Sequence, residues 1–316
     1  MLKVGVVGVG GISGTHIPAW LKREDVELTA ICDIRPEQME KYENVRKYTD
    51  YQEMLEKEEL DILDICLPTY LHAEVAVEAL KRGIHVICEK PISLKREDVK
   101  RIYDMAEEKN VCFMPAHVIR FWTEYVKLKE IYDSKKYGKL LSGYLCRLST
   151  RPKWSWDNWM FEEERSGLVP YDLHIHDLDF MVYLLGKPND WIKHSIRRPE
   201  QDYIHIVYEY DDFAVTAESS WFACAYPFKA EYRFVFEEAI VACEDGAFTI
   251  YENSGNVIST KDEVQEGEVV INLPQTDAYA VEIDYFVGCV KNGKKAEIIK
   301  PTELETVIDI LTDLNK

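Results

Sequence analysis

The chain has 316 residues, about two domains' worth, with 47% hydrophobic and 30% charged residues, which supports sizeable cores and excludes a fibrous or low-complexity protein. Its 57 acidic against 38 basic residues leave a net charge of -19. That charge disfavours nucleic acid and an anionic membrane, both of which are met by clustered Lys and Arg, and leaves a small molecule as the natural partner.

The acidity is uneven, with 17 Lys/Arg against 22 Asp/Glu in residues 1–120 and 21 against 35 in residues 121–316. An apolar run at 2–8 reads as a strand from the start, which predicts no signal peptide. Further strands are predicted at 27–33, 62–67, 85–89 and 111–116, with helices at 13–22, 36–46, 71–82 and 95–109. The helix over 71–82 carries Ala73, Ala76, Val77 and Leu80 on one stripe and stops at Gly83. Alternating strands and helices imply an α/β fold whose first part is a doubly wound parallel sheet of Rossmann type.

Beyond residue 120 the rhythm changes. Helices are predicted at 121–134, 172–185, 278–291 and 303–314. Aromatic and β-branched runs predict strands at 140–150, 203–210, 214–221, 232–236 and 247–251, with Asp211-Asp212 as a hairpin turn. These imply a second α/β domain with a large, open, mostly antiparallel sheet. The division expected is 1–120 for the first domain and 121–316 for a substrate-binding and oligomerisation domain, joined tightly near 116–122. The eight cysteines stand singly with no C-x-x-C pair, which reads as reduced core thiols of a cytoplasmic protein without a zinc site. No apolar run approaches the length of a membrane span.

Gly8-Val9-Gly10-Gly11-Ile12-Ser13-Gly14 follows the first strand and opens a helix. Glycine permits the tight turn and the close approach of a pyrophosphate, which the helix N–H groups then hold. Ser13 stands where Gly or Ala is usual, and is small enough for the same packing. Asp33 ends the second strand, 20 residues after Ser13, where a carboxylate binds the adenosine ribose diol and repels a 2′-phosphate. NAD is therefore favoured over NADP, although Arg35 lies close enough to stack on adenine or to meet that phosphate.

With these residues the chain resembles the Gfo/Idh/MocA family of NAD(P)-dependent oxidoreductases. Leu67-Pro68-Thr69-Tyr70-Leu71-His72 is similar to the family's T-P-x-x-x-H segment, with Leu67 in place of Thr. Glu89-Lys90-Pro91 matches its E-K-P signature, and residues 167–179 resemble its G-G-x-x-x-D-x-G-x-H-x-x-D segment. The resemblance implies a Rossmann domain followed by an open-sheet domain, and a homodimer or homotetramer. It places Gly8, Gly10, Gly11, Ile12, Ser13, Asp33, Arg35, Pro68, His72, Glu89 and Lys90 on the cofactor side. It makes Lys90, Asp172 and His176 the catalytic set.

Physically, a lysine has a pKa of about 10.4 in water, and burial beside nicotinamide would lower it into the range of a proton acceptor. Asp172 and His176, four apart on a helix, share one face. Either Lys90 or His176 accepts the proton, with Asp172 orienting. His174 stands where the family has Gly; it reads as a pocket wall or a structural histidine, and with Asp172, His176 and Asp177 it does not form a metal site on a helix. Arg120 would contact cofactor or substrate, or form an interdomain ion pair. Trp159, with Trp154 and Trp156, would stack on a sugar or anchor its loop. Pro91 is a candidate for a cis bond, and His72 is structural or cofactor-side.

The function expected is hydride transfer between NAD(P) and a secondary alcohol of a sugar, polyol or cyclitol. Two alternatives stand beside it: an NAD-dependent glycosidase-type enzyme and a non-catalytic, cofactor-sensing regulator on the same fold.

Overall fold

The computed structural model describes residues 1–260, 268–270 and 277–316. They divide into two compact units, neither continuous in sequence. The first comprises Met1–Val118, Glu164–Ser166 and Asp277–Asp309; the second comprises Ile119–Glu163, Gly167–Thr276 and Ile310–Lys316.

In the first unit, β1 (Leu2–Val7), α1 (Ser13–Leu21), β2 (Val26–Cys32), β3 (Arg46–Tyr48), α2 (Tyr51–Lys57), β4 (Ile62–Ile65), α3 (Thr69–Lys81), β5 (His85–Glu89), α4 (Arg96–Lys109) and β6 (Phe113–Ala116) follow in order. The strands form one parallel sheet in the order β3-β2-β1-β4-β5-β6. Strand order reverses between β1 and β4, the switch point beyond whose carboxyl ends such sheets bind their ligands. The strands at its centre are buried through most or all of their length, as β4 is in full, because helices cover both faces.

The helix predicted over 36–46 is shorter than its apolar pattern suggests. Pro36–Met39 forms a 3₁₀ turn only, and the chain then runs out into the exposed strand β3. The α2 helix starts where Asp50 caps it, accepting from the Gln52 and Glu53 amides at 2.7 and 3.4 Å. Cys32, Cys66, Cys88 and Cys112 are buried free thiols, and burial pushes Cys32 and Cys66 up to about 12, which leaves them unreactive.

The second unit holds α5 (Thr123–Ser134), β7 (Leu140–Thr150), α7 (Ile175–Leu185) and strands β8 (Asp190–Arg198), β9 (Gln201–Glu209), β10 (Ala214–Phe222), β11 (Lys229–Phe236), β12 (Ala239–Glu244), β13 (Ala247–Glu252), β14 (Val257–Ser259) and β15 (Glu268–Val270); the short turn α6 (Glu163–Ser166), which precedes α7 in the chain, falls in the first unit except for Glu163. The strands line up as β15-β14-β13-β12-β11-β7-β10-β9-β8. The pairings are antiparallel except β7/β10 and β14/β15. Burial alternates along β9, so one face of the sheet packs and the other does not. On the packed face, Tyr125 of α5 meets Phe180 of α7 and Tyr232 of β11 edge-on, at centroid distances of 4.8 and 5.0 Å. Strand β8 escapes prediction because, as an edge strand, it is exposed along most of its length.

The last two helices, α8 (Ala278–Lys291) and α9 (Pro301–Leu314), differ from the chain-order division at residue 120. Ile283, Phe286 and Val287 of α8 and Leu304 and Ile308 of α9 belong to the same apolar core as β1, β4 and β5. A helix goes where its apolar stripe can be covered, whatever its place in the chain. Phe286→Ala should therefore destabilise the first unit by about 3–5 kcal/mol, read as an earlier unfolding transition in urea.

Candidate active site

In the first unit, β1 ends under the glycine turn. Gly8 has φ of +91°, and a Cβ there would stand 2.5 Å from the carbonyl oxygen of Cys66, so only glycine fits. Above the turn there is room: a Cβ on Gly10 would meet only Arg35 Nη2, at 4.0 Å, and one on Gly14 nothing within that distance. Ser13 is buried, and its hydroxyl donates to the Gly10 carbonyl at 2.8 Å. The hydroxyl thus braces the turn from within. A turn packed tightly below and open above, leading into the amino end of α1, fits the pyrophosphate of a dinucleotide.

Asp33 is buried beside it. Its carboxylate accepts the Val9 amide at 2.9 Å and the Arg35 amide at 2.8 Å, and the Arg35 side chain closes on it at 3.2 and 3.4 Å. The acid at the end of β2 is therefore locked to the glycine turn, with a guanidinium alongside.

Lys90 follows β5, and the Lys90–Pro91 bond is cis. Hydrogen bonds on both sides hold this turn. The Lys90 amide donates to Glu89 Oε2 at 3.0 Å. The buried His72 ring lies between the carbonyls of Pro91, 2.8 Å away, and Leu67, 2.6 Å away, tying the turn to the loop after β4. Burial pulls the His72 pKa down, against the pull of those carbonyls. Pro68 caps α3.

In the second unit, Pro170–His174 forms a π-helical turn that runs into α7, a widened turn common at functional sites. From Ser166 to Val182 every residue is buried except Asp172 and His176. The two residues singled out by spacing are thus the two whose side chains reach accessible surface in this segment.

The rest of the segment has interior work. His174 is fully buried; its Nε2 lies 2.6 Å from the Tyr208 hydroxyl and its Nδ1 3.3 Å from Ser219 Oγ. Expected as a pocket wall or a structural histidine, the ring as it stands presents no surface of its own to a ligand. Asp177 takes Arg147 at 2.7 and 3.3 Å. Asp179 takes Arg120 at 2.7 and 2.9 Å, and that guanidinium sits over the Tyr183 ring. Arg120 is 2% exposed and paired with Asp179 within the second unit. Trp159 is half-buried in a 3₁₀ turn, Trp156–Phe161, while Trp154 and Trp156 are 70% and 39% exposed.

Sequence reasoning missed His16 and Asp64. His16 Nδ1 lies 2.9 Å from Asp64 and Nε2 3.0 Å from Glu89, all three buried. The only available signal was a histidine inside an otherwise apolar helix and an aspartate inside an apolar strand. A cavity of about 420 Å³ in the second unit is lined by Arg151, Phe161, Arg197 and Trp221 among others. Its arginines are answered by Glu200 and Glu163 at 3.0 and 3.1 Å.

Comparison with known proteins agrees with this geometry. Residues 2–117 match the model of an oxidoreductase family with an NAD-binding Rossmann fold, and residues 125–249 match the Gfo/Idh/MocA C-terminal domain. The chain belongs to the Gfo/Idh/MocA family. It is 29% identical over 194 residues to a myo-inositol 2-dehydrogenase of Thermotoga maritima, covering 59% of this chain and 55% of that protein. It is 30% identical over 192 residues to a D-glucoside 3-dehydrogenase of Escherichia coli, with the same coverage. The matched part thus spans about half the length of these curated relatives. Among solved structures, levoglucosan dehydrogenase in complex with NADH and levoglucosan superposes with a TM-score of 0.83 at 19% identity, covering 99% of this chain and 97% of that one. Myo-inositol 2-dehydrogenase from Lactobacillus plantarum gives 0.79 at 21%, covering 99% and 96%. These likenesses establish the shared fold. Among the described residues no helix is long and apolar enough to cross a membrane.

Burial, with the charge of Arg147 behind it, lowers the His174 pKa to about 3. The folded state therefore resists a proton that the unfolded chain accepts below about pH 6.5. Stability from this position is complete above that pH and is lost as pH falls towards 3, by about 1.4 kcal/mol per pH unit. Urea titrations between pH 6 and 4 should show a slope in the wild type that is shallower by this amount in His174→Gln.

Proposed function

We propose that this protein is an NAD-dependent dehydrogenase acting on a secondary alcohol of a sugar, polyol or cyclitol. The observation that carries the reading is that Asp172 and His176 alone are only partly buried in an otherwise buried segment, in a chain that also has the E-K-P lysine. A pure cofactor sensor has no use for that trio. The curated relatives named above, dehydrogenases of an inositol and a glucoside, support the substrate class.

Bound nicotinamide would take or return the hydride, chemistry that belongs to the cofactor. Gly8, Gly10, Gly11, Ile12 and Ser13 would hold its phosphates through backbone N–H groups, and Asp33 its ribose. Lys90 or His176 would accept the hydroxyl proton as the carbonyl forms, and Asp172 would orient the imidazole and the substrate hydroxyl. The lock between Asp33 and Val9 favours NAD, because a 2′-phosphate there would face a buried carboxylate. Arg35, drawn onto Asp33, is occupied by that acid. Association into a homodimer or homotetramer fits the open sheet, on which Ile192 and Ile196 of β8 stand more than half exposed.

A second reading draws on another relative, a 2,7-anhydro-N-acetylneuraminate hydratase of Escherichia coli that is 29% identical over 194 residues. A reaction of that kind is redox-neutral overall. Accumulation of NADH in a screen of sugars, inositols and sugar acids separates the two: a dehydrogenase releases one NADH per product, and a redox-neutral enzyme none.

Lys90→Met should lower kcat by about 10²–10⁴-fold while the NAD dissociation constant, by titration calorimetry, stays within about threefold. Activity near wild type in that variant would remove Lys90 from the proton path. Asp33→Ala should cost NAD affinity about tenfold or more while improving NADP relative to NAD, since it removes both the diol acceptor and the repulsive charge.

A further inference from the structure

Beneath the glycine turn and the Lys90 turn lies a buried chain of charge. Trp20 Nε1 donates to Asp64 Oδ2 at 2.7 Å, and the Cys66 thiol stands 3.6 Å from Asp64 Oδ1. Asp64 Oδ2 faces His16 Nδ1 at 2.9 Å, His16 Nε2 faces Glu89 Oε1 at 3.0 Å, and Glu89 Oε2 accepts the Lys90 amide at 3.0 Å. Both ring nitrogens of His16 thus point at carboxylates. A neutral imidazole donates from one nitrogen only and would set its other lone pair against a carboxylate oxygen. The imidazolium alone satisfies both ends. Burial works against that proton, but the Asp64 carboxylate outweighs it and holds the His16 pKa well above its ordinary value. His16 in turn keeps the Glu89 carboxyl ionised against its own burial.

A metal bound by His16, Asp64 and Cys66 is a poorer account. The Nδ1 atom that would ligate it already serves Asp64, and burial favours the protonated form of the Cys66 thiol.

We propose that His16 is a positioning residue that, anchored by Asp64, fixes the Glu89 carboxylate and through it the backbone of the Lys90–Pro91 turn. The residues come from three places: α1, which starts at the glycine turn, β4, and the end of β5. The helix that receives the dinucleotide and the turn that carries the lysine are thereby set in one register. With Oε1 held by His16, Glu89 has Oε2 left in place for the Lys90 amide, and the root of the Lys90 side chain cannot wander. The consequence for turnover rests on the dehydrogenase reading; the mechanical link does not.

Two measurements on the full chain keep these apart. Pro91 has no amide, so Lys90 contributes the only exchangeable backbone N–H between Glu89 and Ile92. In His16→Gln its hydrogen–deuterium exchange should quicken about tenfold, the loss of one charge-assisted bond, with amides of α4 unchanged. Exchange within about twofold of wild type overturns the proposal. Should His16→Gln fail to fold, Trp20→Phe, which removes a donor from Asp64 and keeps an aromatic side chain, should quicken the same amide about threefold, and no change there overturns it equally.

In turnover, His16→Gln and Glu89→Gln should each lower kcat about 10–100-fold, with the KM for NAD within about threefold. The double variant should be no slower than the slower single, because both act through one carboxylate. Losses that multiply overturn the coupling and leave two independent structural residues. A wild type that reduces NAD with no sugar or polyol defeats the dehydrogenase reading, while the exchange result still decides whether His16 holds the turn.

Discussion

A charge inside a protein must be neutralised where it lies, and much of this molecule is arranged around that constraint. Each unit buries ionised groups that water would otherwise solvate at a saving of several kcal/mol. In the first, the His16 ring stands between the carboxylates of Asp64 and Glu89. In the second, Arg147 with Asp177 and Arg120 with Asp179 lie side by side between α7 and its neighbours. Removing one partner of such a pair strands the other. The pairs therefore specify one packing of each helix more sharply than apolar contacts can, since they demand a particular partner at a particular distance.

This accounts for the make-up of the segments that mark the family. The stretch from Gly167 to Asp179 mixes two kinds of residue that look alike on paper. Asp172 and His176 reach accessible surface, while His174, Asp177 and Asp179 face inward to Tyr208, Arg147 and Arg120. The π-helical turn makes the division possible by widening the helix just where its polar residues must point in different directions. Glu89 likewise acts inward, on His16 and on the Lys90 amide. Within each motif, some residues reach accessible surface and others pair in the interior and hold the segment still.

The net charge looks different in this light. The -19 of the chain counts side chains only, and the backbone amides that a helix N-terminus such as that of α1 offers to an anion are registered by no such count. Arg35 is an instructive exception. As a side chain it suggested phosphate recognition, yet the folded chain turns it onto Asp33.

Much was legible from the chain alone. Strand and helix periodicity set the parallel sheet, and the glycine turn after its first strand pointed to its ligand class, because these signals are local and repeat with the geometry of a single element. What tertiary structure decided was every matter of partnership. The place of α8 and α9 in the first unit's core, the interior posts of His174 and Arg120, and the link from Asp64 through His16 to Glu89 each join residues tens to hundreds of positions apart. Spacing along a chain carries no record of such contacts; they exist only once the apolar faces have closed and each buried charge has found the one group that can answer it.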